Sequence, residues 1–451
     1  MVSATVLSII LAAGKGTRMR SKLPKPMHHL AHSSILGHVI AAAQAAQAAQ
    51  HNKISVVVGP GMDDVAEEAR KHAPRCTTYV QSDQLGTADA VLAAREALAG
   101  HEGDVFVLFA DTPLLRPQTL QKVSEVLGEG ANLVVLGFEA RDPTGYGRLL
   151  IDANGDLAAI REHNDATGQE RKVRVCNSGV MAFRCPDLIA LLDQIDNDNA
   201  KCEFYLTDIV EIARRHQLTC RVVTCDEDEL LGINNRVQLA EAEAKFQSQA
   251  RLSAMLNGAT LIDPSTVWFA YDTVIGQDVI IEPNVFFGPG VIIDDGARIY
   301  ANSYIEGAKI GVGARVGPYA RLRPGAKLGA AAKVGNFVEI KNVEMGDGAK
   351  ANHLSYLGDG IVGEKANIGA GTIFCNYDGF NKHRTVIGEN AFVGSNSSLV
   401  APVKIGDGAL VGSGSVITRD VPDNALALER NEQAHKEGWA ARFRAMMSRK
   451  R

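Results

Sequence analysis

The chain has 451 residues, 46% hydrophobic and 22% charged, with a net charge of −5. That length is too great for one ordinary domain and suggests two or three. The acidic balance speaks against a protein that coats nucleic acid, but leaves room for anionic small substrates held in a local positive pocket. Seven scattered cysteines (76, 176, 185, 202, 220, 225, 375) contain no C-x-x-C, which fits free thiols in a reducing compartment better than a disulfide or zinc framework. No apolar run reaches the ~18 residues that would span a membrane. The opening "MVSATVLSIILAAGKG" lacks a basic leader, so it reads as a buried strand of a soluble cytoplasmic protein, not as a signal peptide.

To about residue 235, short β-rich runs alternate with helical patterns: "VLSIILAAG", "SILGHVIAAAQAAQAAQ", "ISVVVG", "MDDVAEEARKHA", "VFVLFAD", "LQKVSEVLGE" and "NLVVLGFEA". Apolar strands separated by amphipathic helices predict βαβ units and an α/β domain whose mostly parallel sheet is covered on both faces. Residues 236–257 contain neither Gly nor Pro and are rich in Ala, Glu, Gln and Leu. They predict one long linker helix, ended by Gly258, between a domain at 1–235 and another at 258–451.

From there the period is six. Aliphatic or aromatic residues stand at 275, 281, 287, 293, 299 and 305, then, after shorter steps, at 310–340, 345–357 and 362–374 in sixes. A thirteen-residue jump leads to 387, 393, 399, 405, 411 and 417. Neither heptads nor alternating strands give this spacing. It predicts a parallel β-helix solenoid in which one residue per six points into a narrow core. The jump holds "CNYDGFNKHR", which has to leave the coil as a loop, and loops on rigid scaffolds often bind ligands. The last segment, "NEQAHKEGWAARFRAMMSRKR", reads as a basic, partly helical, solvated tail.

Two stretches carry chemistry. "LAAGKGTRMRSKLPKP" follows the first strand; Met19 stands where a third glycine would complete a dinucleotide fingerprint, and no P-loop motif occurs. What remains is either a solvated basic loop or a glycine turn that cradles phosphate, with Lys15, Arg18 and Lys25 as cations. Asp111 ends the apolar strand "VFVLFAD", where it either caps the next turn or binds Mg²⁺ together with phosphates. In the second half, "AKANHLSYLG" puts Ala351 and Leu357 at inward positions of the hexad frame. His353 therefore faces away from the core, and Tyr356 also faces outward. An outward imidazole suits general-base work near neutral pH.

G-x-G-T-R-M…P-K, "QLGTADA", "FAD", "PTGYGR", "EHNDA", "NSGV" and "GINNR", in this order, resemble the nucleotide-sugar pyrophosphorylases. With the hexapeptide half behind them, the chain resembles, from about residue 6 to about 440, the bacterial bifunctional N-acetylglucosamine-1-phosphate uridyltransferases / glucosamine-1-phosphate acetyltransferases. The resemblance implies a Rossmann-like nucleotidyltransferase domain, a left-handed parallel β-helix and a homotrimer whose acetyl sites gather residues from more than one subunit. It implies acetyl transfer from acetyl-CoA to glucosamine 1-phosphate, then uridylyl transfer from UTP to N-acetylglucosamine 1-phosphate, which supplies peptidoglycan and lipopolysaccharide precursors.

Carried to matching positions, Leu11, Ala12, Ala13, Gly14, Gln81, Gly86, Thr87, Phe109 and Ala110 would hold the nucleotide, with Lys25 and Arg18 on its phosphates. Gly147, Glu162 and Asn177 would bind the amino sugar, and Asp111 and Asn234 would ligate Mg²⁺. For acetyl transfer, His353 would be the base and Glu339 the carboxylate that orients it. Arg323, Lys341, Tyr356, Asn367, Asn376 and Tyr377 would bind the sugar phosphate, and Ala370, Ser395, Ser413 and Arg430 would contact acetyl-CoA. Ala110 and Ser413 depart from the family's usual Gly and Ala. Two other readings share the architecture: a nucleotidyltransferase-like subunit of a regulatory assembly, and a single-activity sugar-1-phosphate nucleotidyltransferase whose β-helix regulates or assembles.

Overall fold

In the computed structural model, which describes residues 5–47, 51–184 and 188–448, the alternating strands and helices of the first half form a nine-stranded sheet. Its main path runs Cys220–Cys225, Leu133–Glu139, Val175–Phe183, Asp104–Phe109, Thr5–Leu11, His51–Val58, Thr77–Val80. All of these neighbours are parallel except Val175–Phe183, which is antiparallel to both of its own. Thr5–Leu11 sits centrally and is buried from Val6 onward. Its near-unbroken apolar run reflects a strand covered on both faces. Helices Ile35–Ala46, Asp63–His72 and Pro117–Gly128 fall on the three amphipathic patterns. The "QAAQ" pattern runs on to residue 50, and residues 48–50, like Cys185, lie outside the described residues.

The sheet register explains where a ligand can sit. Leu11 pairs with Phe109 at the carboxyl ends of two adjacent parallel strands. The segments that follow, Ala12–Gly14 and Ala110–Asp111, therefore emerge side by side, the usual place for ligands in open α/β sheets. A separate antiparallel pair, Arg148–Ile151 with Leu157–Arg161, joins the sheet through Val175–Phe183.

Helix Arg236–Leu256 follows the 236–257 pattern, and Gly258 turns the chain at φ +102°. Two compact units are distinguished, Met1–Ser248 and Gln249–Arg451, so the division falls inside this helix. Leu239, Ala242 and Phe246 pack with Leu30, Ile35, Leu114 and Ile233 in the first unit. Ala250 and Ala254 pack on the apolar core of the second.

The second unit is a parallel β-helix. Its strands pair in parallel, mostly with a residue meeting another 17 or 18 positions on, as in Ile281↔Ile299↔Val316↔Val334↔Ala351↔Ile368, and 25 positions on across the excursion loop. Every inward position of the hexad frame is buried except Ile275, in an early coil, which is half-buried. The expectation of one inward residue per six needs correction. A second, smaller residue two positions earlier is also buried: Val279, Val285, Val291, Ala297, Ala314, Ala320, Ala326 and Ala332 among others. A coil this narrow closes at its corners only if those side chains are small. The thirteen-residue jump leaves the solenoid between strands Ile373–Cys375 and Thr385–Ile387, with Tyr377 bridged to Lys382. Helix Trp439–Ser448, in the basic tail, is exposed throughout.

Candidate active sites

In the first unit a cavity of about 270 Å³ is lined by Leu11, Ala12, Ala13 and Gly14 from the turn and by Phe109, Ala110 and Asp111 from the neighbouring strand end. Lys25, Gln81, Gly86 and Thr87 complete the wall among the expected residues. Gln84 lines it too. It opens the "QLGTADA" motif, where the motif itself gives no signal for its role, and its Nε2 donates to Ala13 O at 2.7 Å, pinning the turn. Gln81 Nε2 donates to Gly86 O at 2.9 Å and to Asp89 Oδ2 at 2.8 Å. Gly86 has φ +139°, and a Cβ there would come within 2.5 Å of Phe204 O, so only glycine fits. Thr87 Oγ1 accepts from Leu206 N at 2.9 Å.

At one end of the cavity, Lys25 Nζ donates to Asp111 Oδ2 at 2.7 Å and lies 3.4 Å from Asn234 Oδ1; Arg18 donates to that same amide oxygen at 2.9 Å. Ile233 N donates to Asp111 O at 2.9 Å, which ties "GINNR" to the aspartate. A carboxylate and an amide oxygen that reach one ammonium can also reach one metal ion, so this hard oxygen pair fits Mg²⁺, with phosphate and water completing its shell. Ala110, the departure from Gly, is 3% exposed and lines the cavity.

The three residues expected on the amino sugar meet as well. Asn177 N donates to Gly147 O at 2.8 Å. A Cβ on Gly147 would lie 3.3 Å from Glu162 Oε1 and 3.5 Å from Asn177 Cβ, so glycine keeps the space between those side chains open. Burial raises the Glu162 carboxyl above the usual range, against the opposing pull of Lys201 and the Thr207 hydroxyl.

On the β-helix, register does the assembling. Arg323 pairs with Lys341, and Lys341 with Gly358; Glu339 pairs with Tyr356; Asn336 pairs with His353. His353 ends strand Lys350–His353 and is exposed; Tyr356 opens Tyr356–Val362 beyond the corner at Leu354 and Ser355. The His353 ring meets Asn336 Oδ1 through Nδ1 at 2.7 Å. An amide oxygen there puts the proton on Nδ1 and leaves Nε2 as the basic nitrogen. Glu339, expected to orient the imidazole, accepts within this chain from Arg323 Nη1 at 2.8 Å and raises that guanidinium's pKa. Stepping back one 17-residue coil from His353 would have found Asn336.

Lys341 donates to both oxygens of Asp359, at 2.9 and 3.0 Å, and Asn376 Nδ2 donates to Asp359 Oδ2 at 2.6 Å. Neither Asp359 nor Lys382 carries a signal in the hexad frame. Lys382, from the excursion loop, abuts Lys341, which holds its ammonium below the usual lysine range. Asn367 is half-buried on the coil after His353, and Tyr377 is exposed on the loop. The four residues expected on acetyl-CoA form a row on successive coils. Asn396 N donates to Ala370 O at 2.7 Å, Ser395 N donates to Ser413 Oγ at 3.1 Å, and Arg430 donates to Ser413 O at 3.0 Å. Alanine at 413 could not make the Ser395 bond.

Residues 8–175 match the MobA-like NTP transferase domain, and residues 272–307 and 384–419 match the bacterial transferase hexapeptide (six repeats). The chain is 55% identical over 444 residues to the Bifunctional protein GlmU of Bradyrhizobium sp. (strain ORS 278), covering 98% of each chain. It is 58% identical over 438 residues to that of Maricaulis maris (strain MCS10), covering 97% of this chain and 96% of the relative.

Proposed function

Since the chain belongs to the family of bifunctional GlmU proteins, we propose that it carries both activities, each on its own unit. Acetyl transfer from acetyl-CoA to glucosamine 1-phosphate belongs to the β-helix, and uridylyl transfer from UTP to N-acetylglucosamine 1-phosphate to the α/β unit. The observation that carries this reading is the presence of both constellations in one chain. Lys25 Nζ lies between Asp111 and Asn234 at a nucleotide-sized cavity, and the β-helix displays an exposed His353 held by Asn336 together with the paired cations Arg323 and Lys341 on neighbouring coils.

For uridylyl transfer, the turn Leu11–Gly14 with Gln81, Gly86, Thr87, Phe109 and Ala110 holds the nucleotide, and Gly147, Glu162 and Asn177 hold the sugar. The sugar phosphate attacks the α-phosphorus in line and pyrophosphate leaves, so the protein supplies placement and charge rather than a nucleophile. Lys25 and Arg18 neutralise phosphate oxygens as the leaving group gains charge. Asp111 and Asn234 would hold Mg²⁺, which when bound neutralises phosphate charge.

For acetyl transfer, His353 Nε2 takes the proton from the sugar amine as its nitrogen attacks the thioester carbonyl. The thiolate of CoA then leaves. Arg323 and Lys341, with Lys382 alongside, hold the dianionic phosphate. Tyr356, Asn367, Asn376 and Tyr377 surround the sugar, and the Ala370–Ser395–Ser413–Arg430 row carries acetyl-CoA. We place the enzyme in the cytoplasm as a homotrimer, in which neighbouring copies complete the exposed acetyl sites. Among the described residues no helix is long and apolar enough to cross a membrane.

The test is a leave-one-out assay on purified protein with UTP, acetyl-CoA and glucosamine 1-phosphate. UDP-N-acetylglucosamine should form only when all three are present, and CoA release should survive omission of UTP. CoA release absent in every mixture, with uridylyl transfer intact on N-acetylglucosamine 1-phosphate, would select the single-activity reading.

A further inference from the structure

Asp359 sits at a corner of the β-helix where the chain repeatedly takes a left-handed conformation: Gly307, Gly325, Asn342 and Asp359 have φ +53°, +85°, +52° and +51°. Glycine and asparagine are ordinary residues for that conformation, and aspartate is tolerated there because its short side chain is polar. Here the carboxylate does more than tolerate the corner. Oδ1 accepts from Lys341 Nζ at 2.9 Å and from Asn342 Nδ2 at 2.8 Å; Oδ2 accepts from Lys341 Nζ at 3.0 Å and from Asn376 Nδ2 at 2.6 Å. The donors come from two places: Lys341 and Asn342 on the coil below, and Asn376 at the root of the excursion loop.

The loop is tied up internally. Asp378 accepts from Phe380 N at 2.8 Å, from Asn381 N at 2.6 Å and, through its other oxygen, faces His383 Nε2 at 2.7 Å. His383 N donates to Asn376 O at 2.8 Å. The loop therefore behaves as one preformed piece, and its side-chain tie to the solenoid at this root is the bond from Asn376 to Asp359. Burial alone would push the Asp359 carboxyl up. The three hydrogen-bond donors and the Lys341 charge outweigh it and hold the group below its usual range, so it is ionised at neutral pH.

We propose that Asp359 is a positioning residue for acetyl transfer, fixing Lys341 and the Asn376 root of the loop in one geometry so that both meet the sugar phosphate together. This rests on reading Lys341 and Asn376 as ligands of glucosamine 1-phosphate. Asp359 itself touches no substrate; it acts through the lysine and the amide.

Asp359→Asn keeps the shape and the left-handed preference but removes the charge. It also sets an amide N–H₂ against the Asn342 or the Asn376 donor, because each carboxylate oxygen already serves a side of its own. The variant should raise KM for glucosamine 1-phosphate by about tenfold or more, the scale of one charge-assisted hydrogen bond. KM for acetyl-CoA should stay within about twofold and thermal stability at neutral pH should fall only slightly, a split that a merely structural residue would not give. Lys341→Ala should raise the same KM on its own, and Asp359→Asn added to Lys341→Ala should add less than about threefold, because coupled residues are not additive.

If Lys341→Ala raises KM while Asp359→Asn leaves it unchanged, the proposal is wrong and the ligand reading stands. If the two effects multiply in full, Asp359 does not act through Lys341, and the proposal is again wrong. If Lys341→Ala has no effect, the ligand reading fails and the proposal with it. Should Asp359→Asn not fold, Asn342→Gly serves instead: it keeps the left-handed corner and removes one donor to Asp359. It should raise the sugar-phosphate KM by about two- to fivefold, and no rise would overturn the proposal.

Discussion

The two units build their sites in opposite ways. In the α/β unit the ligand space is a cavity within one chain, walled by segments leaving adjacent strand ends, Leu11–Gly14 and Phe109–Asp111. Its polar groups come from far apart in sequence, as when Lys25, Asp111 and Asn234 meet at one point. On the β-helix the residues lie one above another at intervals of one coil, and His353 is exposed. A sheet end encloses a substrate, whereas a solenoid face only displays groups to it. On the proposed reading, that difference is why the acetyl site would draw on neighbouring copies and the uridylyl site would be complete within one chain.

The comparison breaks first at Asp111. Asp111→Asn should lower uridylyl transfer by at least about 10³-fold, on the scale of losing a preorganised electrostatic partner for charge that develops in the transition state. Acetyl transfer on the same preparation should be unchanged. Pyrophosphate release and CoA release, measured together, check both, and a variant with normal pyrophosphate release would remove Asp111 from the site. On the other unit, His353→Ala should lower acetyl turnover per folded oligomer by about 10²–10⁴-fold, the usual worth of a positioned base. Uridylyl transfer is the internal control. Asn336→Ala should lower turnover by only about tenfold, because it orients the ring without moving the proton itself. A His353 variant that stays oligomeric and keeps more than about a tenth of its turnover would refute the base assignment.

Much of this was legible in the sequence, for different reasons in each half. Hexad spacing located the buried positions of the solenoid because a narrow coil admits only certain sizes at fixed intervals. It missed the second small inward residue, since Ala and Val at such positions look like ordinary composition. The outward direction of His353 followed from the same frame, but its partner did not. Contacts between coils depend on the 17- or 18-residue register, and a six-residue count does not reveal that. Asp359 stayed hidden because a lone aspartate at a turn is commonplace, and only the convergence of Lys341, Asn342 and Asn376 sets it apart.

Separating the units sharpens the comparison. A fragment of residues 1–248 should retain uridylyl transfer and melt higher than one of residues 1–235. The shorter piece loses Leu239, Ala242 and Phe246 from the cluster around Leu30, Ile35 and Ile233. Removing that apolar cover should cost about 3 kcal/mol, or roughly 5–10 °C in Tm for a unit of this size. Equal melting temperatures would mean that the first part of the helix contributes nothing to the α/β unit.

The smallest expected effect is one of pH, and it distinguishes the units by sign. Asp208 in the α/β unit is half-buried, and burial together with Glu211 and Asp196 pushes its carboxyl up to about 6 from an ordinary 3.8. A carboxyl whose folded pKa is raised contributes stability below the unfolded value and loses it as pH rises through the folded one. At pH 8 Asp208 is therefore a charge that folding opposes. The full shift corresponds to ~3 kcal/mol, which partial exposure cuts to ~1 kcal/mol. Its place before helix Ile209–Arg215 works the other way, because a negative charge at a helix start gains ~0.3–1 kcal/mol. Asp208 makes no side-chain cap bond there, however, so an amide loses no hydrogen bond. Asp208→Asn should consequently raise the Tm of the α/β unit by about 2 °C at pH 8 and leave it unchanged at pH 4, where the aspartate is already protonated. Asp359, held below its usual range, has the opposite sign. Its contribution to the β-helix is present above the ordinary carboxyl pKa and is lost as pH falls through the folded value, so Asp359→Asn should lower the Tm of that unit slightly at pH 8 and not at pH 2. Calorimetry of both variants across that range decides the matter: a gain for Asp208→Asn of equal size at pH 4 and pH 8 would show that packing, not charge, is responsible.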